Sequence, residues 1–480
     1  MAFHTGEPLK TNYTEQLCEF VQNLNYENIP PEVLERAKLI AIQTIGVALA
    51  VNGLPVAEKA ASLGKRCGGR GNGEGDATLW IDGSKTTVPG AAFANSTLAD
   101  ALDWEDCAWT GHPSASLVPV AFACAEAEHK SGKDFLTAIV AAYEAYTRIA
   151  MVVQPPADWP SHIKGWGITG WQIFAAVIPA AKLLGLDAEK INQAIGFGVT
   201  SCPIPGALHH LTMSDAYHYE HGFRSMEGVM AAFNAEAGVD NYTDAFDDPW
   251  AFENHLTASP DNSWYTKDLG THWLTMETLL KHWPANMWIQ TPLELLDSVM
   301  TKNRLTKDDV AEVVIDPPVI ARMEFYPEGY NALTQAQFSM PFMLASYICD
   351  PTPSCKWLYR ERLTDPEILS MAAKVHGGPS EPLFMPQCFK DFQKGKDGHH
   401  PIMTLTIKTN DGKEYSETME KHLGHPYNMM SLEQIADRFR IQASASMSSE
   451  RLEQLLDKLI HVEDCEDIAE ISALLRKDLA

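Results

Sequence analysis

Four side chains that can exchange protons lie within ten residues of one another, between Leu102 and Ser114. They are Asp103, Glu105, Asp106 and His112. A carboxylate and an imidazole that converge on one cleft can take a proton from a substrate and return it. The alternative is that the acids solvate a surface loop and that the imidazole helps to cap a helix, because carboxylates are usually exposed.

Two apolar helical patterns, Ala91–Ala101 and Ala115–Ala127, flank this stretch. Pro113 and Ser114 are residue types that suit the start of the second helix. The stretch is therefore predicted to be a loop that leaves one buried helix and leads into another, and such a loop can hold its side chains in a cleft.

The order of residues in this loop resembles a known motif. An aspartate, an aromatic residue, an acid and a second aspartate, followed by His112-Pro113-Ser114, are similar to the first active-site motif of the MmgE/PrpD family. Four more segments match that family in order and spacing, namely Val88–Asn95, Lys182–Leu186, His221–Phe223 and Ala336–Phe342. The resemblance covers almost the whole chain. It implies a dehydratase, decarboxylase or epimerase that needs no metal or organic cofactor.

Three catalytic positions carry over from the resemblance. His112 matches the motif histidine and is expected to be the acid–base group. Asp103 matches the motif aspartate and is expected to orient that imidazole or share its proton. Lys281 matches the lysine at the start of the family's lid and is expected to pair with a substrate carboxylate or with the developing enolate.

Other family positions have changed, and the second half of the site has lost cationic and basic character. Tyr217 stands in place of a lysine and could act as a hydrogen-bond donor or an acid in its stead. Five further residues are predicted to contact the substrate, namely Cys107, Trp166, His218, Asn286 and Arg322. Because aromatic residues cluster around these positions, the predicted substrate is less anionic or more aromatic than citrate. Ordinary aromatic packing is the alternative explanation.

Composition limits the choice of partners. The chain has 480 residues, 45% of them hydrophobic and 21% charged, as in a globular protein with a large core. Its net charge of −26 argues against nucleic acid and anionic membranes. Nine cysteines without Cys-x-x-Cys spacing are typical of a reducing compartment. With no evident signal peptide, the expected location is the cytoplasm. The expected partner is a small carboxylic acid.

The order of patterns predicts a mainly α fold. A large helical domain is expected from both ends of the chain, residues 1–268 and 424–480, with a smaller α+β lid domain inserted at 269–423. Strand patterns in the lid are Val310–Asp316, Ile402–Thr409 and Glu414–Thr418, and helical patterns are Leu333–Ile348 and Glu367–Val375. The resemblance implies the same arrangement and a homodimer.

The sequence thus predicts a cofactor-independent lyase, a dehydratase or decarboxylase acting on a carboxylic acid. An epimerase or isomerase would use the same proton abstraction but would need a second acid, for which Tyr217 or Cys107 could serve. The third possibility is a family member that binds a ligand without catalysis, because a fold can be retained after its catalytic activity is lost.

Overall fold

A computed structural model describes residues 9–68, 75–108, 111–153, 170–202, 213–248, 251–257, 260–383 and 401–475, with 388, 391 and 394. The predicted mainly α fold is confirmed. The first part of the chain forms nine helices in its described residues: α1 Tyr13–Asn23, α2 Pro31–Ala50, α3 Pro55–Cys67, α4 Val88–Asp100, α5 Ser114–Ala127, α6 Gly132–Val152, α7 Phe174–Leu183, α8 Ala188–Ser201 and α9 Ala216–Glu236. Four two-residue strands accompany them: β1 Ala77–Thr78, β2 Lys85–Thr86, β3 Asp106–Cys107 and β4 Leu279–Leu280.

The second part contains helices α10 Met287–Asn303, α11 Leu333–Gln337, α12 Met340–Cys349, α13 Pro366–Ala372, α14 Leu432–Ala443, α15 Ser449–Ile460 and α16 Ala469–Leu475. Its strands are β5 Val310–Asp316, β6 Val375–Gly377, β7 Met403–Thr409 and β8 Glu414–Met419. They form one sheet in the order β6-β5-β7-β8, in which β5 and β6 are parallel and the other pairs antiparallel.

Helix α9 carries Tyr217 and His218, helix α4 ends just before the acid–base loop, and small residues let these two helices pack closely. Thr87 caps α4 by accepting from the Gly90 N–H, and α4 is buried along its whole length. At the crossing, a Cβ added to Gly222 of α9 would lie 2.6 Å from the Phe93 carbonyl oxygen of α4. Glycine is therefore required there, since a side chain would push the two helices apart.

The C-terminal helices pack back on the first half of the chain. Helix α14 lies against α2, where a Cβ on Gly46 would meet the Gln442 side chain at 2.4 Å. The four-stranded sheet is covered by α10, towards which Met403, Leu405 and Ile407 of β7 turn their buried side chains. Where the domains and the inserted lid begin and end stays a prediction.

Two predicted helices in this half differ from the structure. The pattern Leu333–Ile348 is interrupted because the Ser339 hydroxyl accepts from the Phe342 N–H and starts a new helix there. The pattern Glu367–Val375 ends at Ala372, and its last residue begins β6 instead. Pairing with β5 decides that change, and no local pattern could reveal it. The predicted strand Val310–Asp316 and the hairpin of β7 and β8 are confirmed.

One helix among the described residues, α6, is long and apolar enough to cross a membrane. All of its most apolar window is buried inside the protein, between neighbouring helices that include α5 and α7. It is one of the buried core helices of this fold.

Candidate active site

The predicted acid–base loop is held in place by a short ladder. Strand β3 pairs antiparallel with β4, so that Asp106 lies opposite Leu280 and Cys107 opposite Leu279. The Lys281 N–H donates to the Glu105 carbonyl at 2.9 Å and extends the ladder by one pair. This pairing brings together two segments that are about 175 residues apart in the sequence and places the lysine beside the acidic loop.

Lys281 lies at the centre of a fully buried cluster of charges. Its ammonium group donates to the Asp103 carboxylate and, at 2.8 Å, to Glu105 Oε1. The same nitrogen lies 3.1 Å from His112 Nδ1. Asp103 reaches this position because its backbone adopts a left-handed conformation, φ 49°, which aspartate tolerates better than most residues.

The imidazole of His112 has a carboxylate on one side and a phenol on the other. Its Nδ1 lies 2.5 Å from Glu105 Oε1, and its Nε2 lies 3.0 Å from the Tyr217 hydroxyl. Asp103 lies farther away, with 3.7 Å between its Oδ1 and Nδ1. The carboxylate in hydrogen-bonding contact with the imidazole is thus Glu105, whereas Asp103 pairs with Lys281.

Burial and charge set the protonation of this pair. Burial raises the pKa of Glu105 to about 7, and the nearby charge of Asp103 adds to this effect while Lys281 opposes it. Burial also lowers the pKa of His112, as does the charge of Lys281. Near neutral pH the imidazole is therefore uncharged, and Glu105 is poised to hold or release a proton.

The other members of the cluster keep a fixed charge. Burial by itself would raise the pKa of Asp103, but the charge of Lys281 and its hydrogen bond to the carboxylate hold it below its usual value. Burial would lower the pKa of Lys281, yet Asp103 and Glu105 raise it well above its ordinary range. These two groups form an ion pair throughout the physiological pH range.

The backbone around His112 is fixed by buried amides. The Gln172 side chain donates to the His112 carbonyl oxygen at 2.9 Å and accepts from the Tyr146 hydroxyl at 3.0 Å. Gln43 of α2 donates to the carbonyl oxygens of Trp104 at 2.7 Å and Lys281 at 3.0 Å. The second amide therefore joins the two segments that carry the site.

Asp106 has a structural role although it belongs to the same acidic motif. Its carboxylate accepts from the Ser114 N–H at 3.1 Å, at the start of α5, and from the Tyr143 hydroxyl at 2.5 Å. Burial raises its pKa to about 6. It anchors the helix start that follows the loop, whereas the alternative interpretation assigned such capping to His112.

Tyr217, on α9, contributes a neutral phenol. Burial raises its pKa well above 10, and the acids Asp100 and Asp103 add to this effect. His218 is the next residue, but its ring nitrogens contact Asp100 at 2.6 Å and Gln337 at 3.1 Å. The structure therefore places His218 in a buried polar network behind the phenol.

Arg322 approaches the cluster from the second half of the chain. Its Nε donates to the Asn286 amide oxygen at 2.9 Å, and its guanidinium stacks over the Phe338 ring at 4.7 Å. Burial lowers its pKa to about 10, with Asp103 and Tyr217 among the groups that oppose this, so it stays charged at neutral pH. Its Nη2 atom has no protein hydrogen-bond partner within the parts of the chain that the structure describes.

The remaining predicted contact residues are placed as follows. The Cys107 thiol lies 3.4 Å from the Met287 sulfur, and burial raises its pKa to about 12, so it is uncharged. Trp166 lies outside the described residues.

One group of side chains has the composition of a metal site. Ligand atoms of Asp100, Glu105 and His112 lie within 4.8 Å of one another. The Lys281 ammonium already bonds to Glu105 and lies 3.1 Å from the imidazole Nδ1, so a metal ion would compete with a buried positive charge. The donor set therefore fits an ammonium group better than a metal ion.

Two family models match the chain, the MmgE/PrpD N-terminal domain over residues 15–264 and the MmgE/PrpD C-terminal domain over residues 283–461. The chain therefore belongs to the MmgE/PrpD family, as its motifs predict.

Curated relatives are similar over almost the full length. A cis-aconitate decarboxylase-like protein of Aspergillus oryzae is 24% identical, over 98% of both chains. The cis-aconitate decarboxylase of Mus musculus is 22% identical, over 96% of this chain and 93% of its own. That of Aspergillus terreus is 23% identical, over 97% and 96%. These relatives support a lyase-type enzyme.

Three side chains at the site have roles that the local sequence does not reveal. The acidic motif identifies Glu105 as an acid but not as the partner of the imidazole. For Gln43 and Gln172, the one available signal is a glutamine within an apolar pattern, where a buried amide needs hydrogen-bond partners.

Proposed function

We propose that the protein is a lyase in which His112 and Tyr217 move protons on a carboxylic acid substrate held by Arg322. The observation that carries the proposal is the contact of a neutral imidazole with a neutral phenol, 3.0 Å apart, inside a buried cluster. A neutral imidazole can accept a proton through Nε2, and a neutral phenol can donate one. One base and one acid suffice for removing a proton and assisting a leaving group.

The electrostatic arrangement supports His112 as the base. Burial and the charge of Lys281 lower the pKa of the imidazole, and Glu105 accepts or shares the proton at Nδ1, so the lone pair lies on Nε2, which faces the Tyr217 hydroxyl. When the imidazole takes up a proton, the Glu105 carboxylate stabilises the resulting cation. The Lys281 ammonium group already donates hydrogen bonds to Asp103 and Glu105. We therefore propose that Lys281 sets the protonation states of His112 and Glu105 and does not pair directly with the substrate.

Arg322 is the proposed anchor for a substrate carboxylate. Its Nη2 is available, and a hydrogen bond to a charged group contributes roughly 1.5–3 kcal/mol. The cations Lys281 and His218 are already paired with buried acids. A substrate with one carboxylate near the reacting carbon therefore suits the site better than a tricarboxylate, which would need several free cations.

A lyase fits this geometry better than an epimerase. Epimerisation needs an acid and a base on opposite faces of one carbon, each about 3–3.5 Å from it, so the two groups would be roughly 6–7 Å apart. His112 Nε2 and the Tyr217 hydroxyl lie 3.0 Å apart. They can therefore reach neighbouring atoms on the same face, an arrangement that permits a syn loss of water or protonation of the carbon from which carbon dioxide has left.

The experiment is proton NMR in deuterium oxide with cis-aconitate, 2-methylcitrate, malate-type acids and aryl-substituted succinates, combined with measurement of carbon dioxide. New vinyl signals without carbon dioxide would establish a dehydratase, and released carbon dioxide a decarboxylase. Exchange of a Cα–H without loss of mass would instead favour an epimerase. No change with any acid would favour a binding role for the folded protein.

Two variants test the roles of the residues. His112→Ala is expected to abolish turnover, and its control is His129→Ala, whose imidazole is exposed and pairs with Asp467. Tyr217→Phe is expected to lower kcat by about 10²-fold or more. Its control is Tyr265→Phe, which removes an equally buried hydroxyl that bonds to Glu253. Turnover by His112→Ala at the wild-type rate would refute the assignment.

A further inference from the structure

A narrow pocket lies beside the acid–base cluster, and the mechanism above does not use it. Cys107 and Leu279, which are opposite each other on β3 and β4, form part of its wall. Side chains alternate between the two faces of a ladder, so the pair of Glu105 and Lys281, two residues farther along, points to the same face. One strand repeat of roughly 7 Å therefore separates the pocket from the reacting groups.

A second observation places the pocket and the cluster in one environment. The pKa of the Cys107 thiol, although raised chiefly by burial, responds to the charges of Lys281, Asp103 and Glu105. Met287 also lines the pocket, contacts the same thiol and directly follows Asn286, the residue that binds Arg322. The pocket wall thus extends from the catalytic loop to Met287, which is next in sequence to the residue that binds the proposed carboxylate anchor, Arg322.

The lining of the pocket determines what it can hold. Most of the wall is apolar and includes Met287, Trp288 and Met403. Two carboxylates, Glu277 and Glu420, also line it, and either would repel an anionic group. The imidazoles of His422 and His425 complete the rim, but their Nδ1 atoms are engaged by the backbone at Leu423 and Tyr427.

We propose that this pocket receives an uncharged, apolar substituent of the substrate while Arg322 holds its carboxylate. The assignment rests on the proposed lyase function and defines its substrate class as a carboxylic acid with a short alkyl group or part of an aryl ring. The cavity volume is about 50 Å³. At roughly 10–15 Å³ for each water-sized group, this holds about three to five such groups.

The test uses calorimetric titration of the full chain with succinate and with 2-alkylsuccinates that carry from one to eight carbons. Burial of one methylene is worth about 0.8 kcal/mol, which is close to a fourfold gain in affinity. We expect the affinity to rise about fourfold per carbon for the first three to five carbons and then to level off.

Two variants change the size of the pocket in opposite directions. Thr291 lines it from α10, and Thr291→Phe is expected to end the increase after about one carbon while leaving the affinity for succinate unchanged. Met287→Ala should extend the increase by about two carbons. The control is Thr301→Phe, at an exposed position of the same helix, which should behave as the wild type does.

Each outcome decides between the two proposals. If affinity does not depend on chain length, or if both pocket variants keep the wild-type profile, the pocket assignment is wrong even when succinate binds and an acid of the NMR panel is converted. If the chain-length profile is as expected but no acid of the NMR panel is converted, the proposed lyase function fails and the pocket assignment stands. Absence of binding by every succinate, together with no conversion in the NMR panel, would overturn both.

Discussion

Replacing Lys281 with Met removes the one ammonium group that the buried carboxylates of Asp103 and Glu105 share. All three side chains have 0% exposure, so water cannot solvate the acids once the lysine is gone. Breaking a buried ion pair by removing one partner costs about 3–5 kcal/mol, because the remaining charge is uncompensated. We expect the free energy of unfolding of Lys281→Met to be lower than that of the wild type by about this amount at pH 8.

The loss should shrink in acid. The pKa of Asp103 lies below its usual value in the wild type because Lys281 stabilises the carboxylate, and without the lysine it should rise. Glu105 already has a pKa of about 7 with the lysine present, and that value should rise further. A carboxyl group with a raised folded-state pKa contributes stability at low pH that is lost as the pH increases. The difference between variant and wild type should therefore grow from pH 5 to pH 8.

Urea unfolding followed by far-ultraviolet circular dichroism at pH 5 and pH 8 measures both effects. Lys302→Met is the control, since its ammonium pairs with Glu417 while 64% exposed and should cost less than about 1 kcal/mol. Combining Lys281→Met with Asp103→Asn removes both charges, and the two losses should fall short of additivity by about 0.5–3 kcal/mol. Strict additivity, or wild-type stability of Lys281→Met at pH 8, would refute the reasoning.

Three further changes have expected outcomes. In the wild type, the raised pKa of Glu105 should lower the free energy of unfolding by about 3 kcal/mol as the pH rises from about 4.5 to about 7, and Glu105→Gln should remove this decline in urea titrations. Gln43→Leu leaves the buried carbonyl groups of Trp104 and Lys281 without their donor. The free energy of unfolding, measured by the same assay, should fall by about 2–6 kcal/mol. Full wild-type stability would contradict this. Gly222→Ala places a Cβ 2.6 Å from the Phe93 carbonyl oxygen and should destabilise the protein by about 1–3 kcal/mol. The resulting shift of α9 should displace Tyr217 and lower kcat, measured at the same protein concentration as the wild type. An unaffected kcat would show that the helices move apart without displacing the phenol.

Local patterns were sufficient for most of the fold. Helices α2 and α5 follow from apolar spacing and from proline or serine at their starts, and the hairpin of β7 and β8 follows from strand patterns around Asn410–Gly412. Strand β6 could not be predicted in this way, since three residues after a helix become a strand through pairing with β5.

Motifs and apolar periodicity are sufficient to predict the family, the mainly α fold and the identity of the residues that can exchange protons. Motif residues such as His112 and Asp103 can be identified from the sequence because the order of acids and an imidazole within one loop is a local feature. Local order cannot say which acid meets which base. The tertiary structure decided that Glu105 contacts the imidazole and that Asp103 pairs with Lys281, because a two-residue ladder joins segments far apart in the chain and burial then sets the charge of each group.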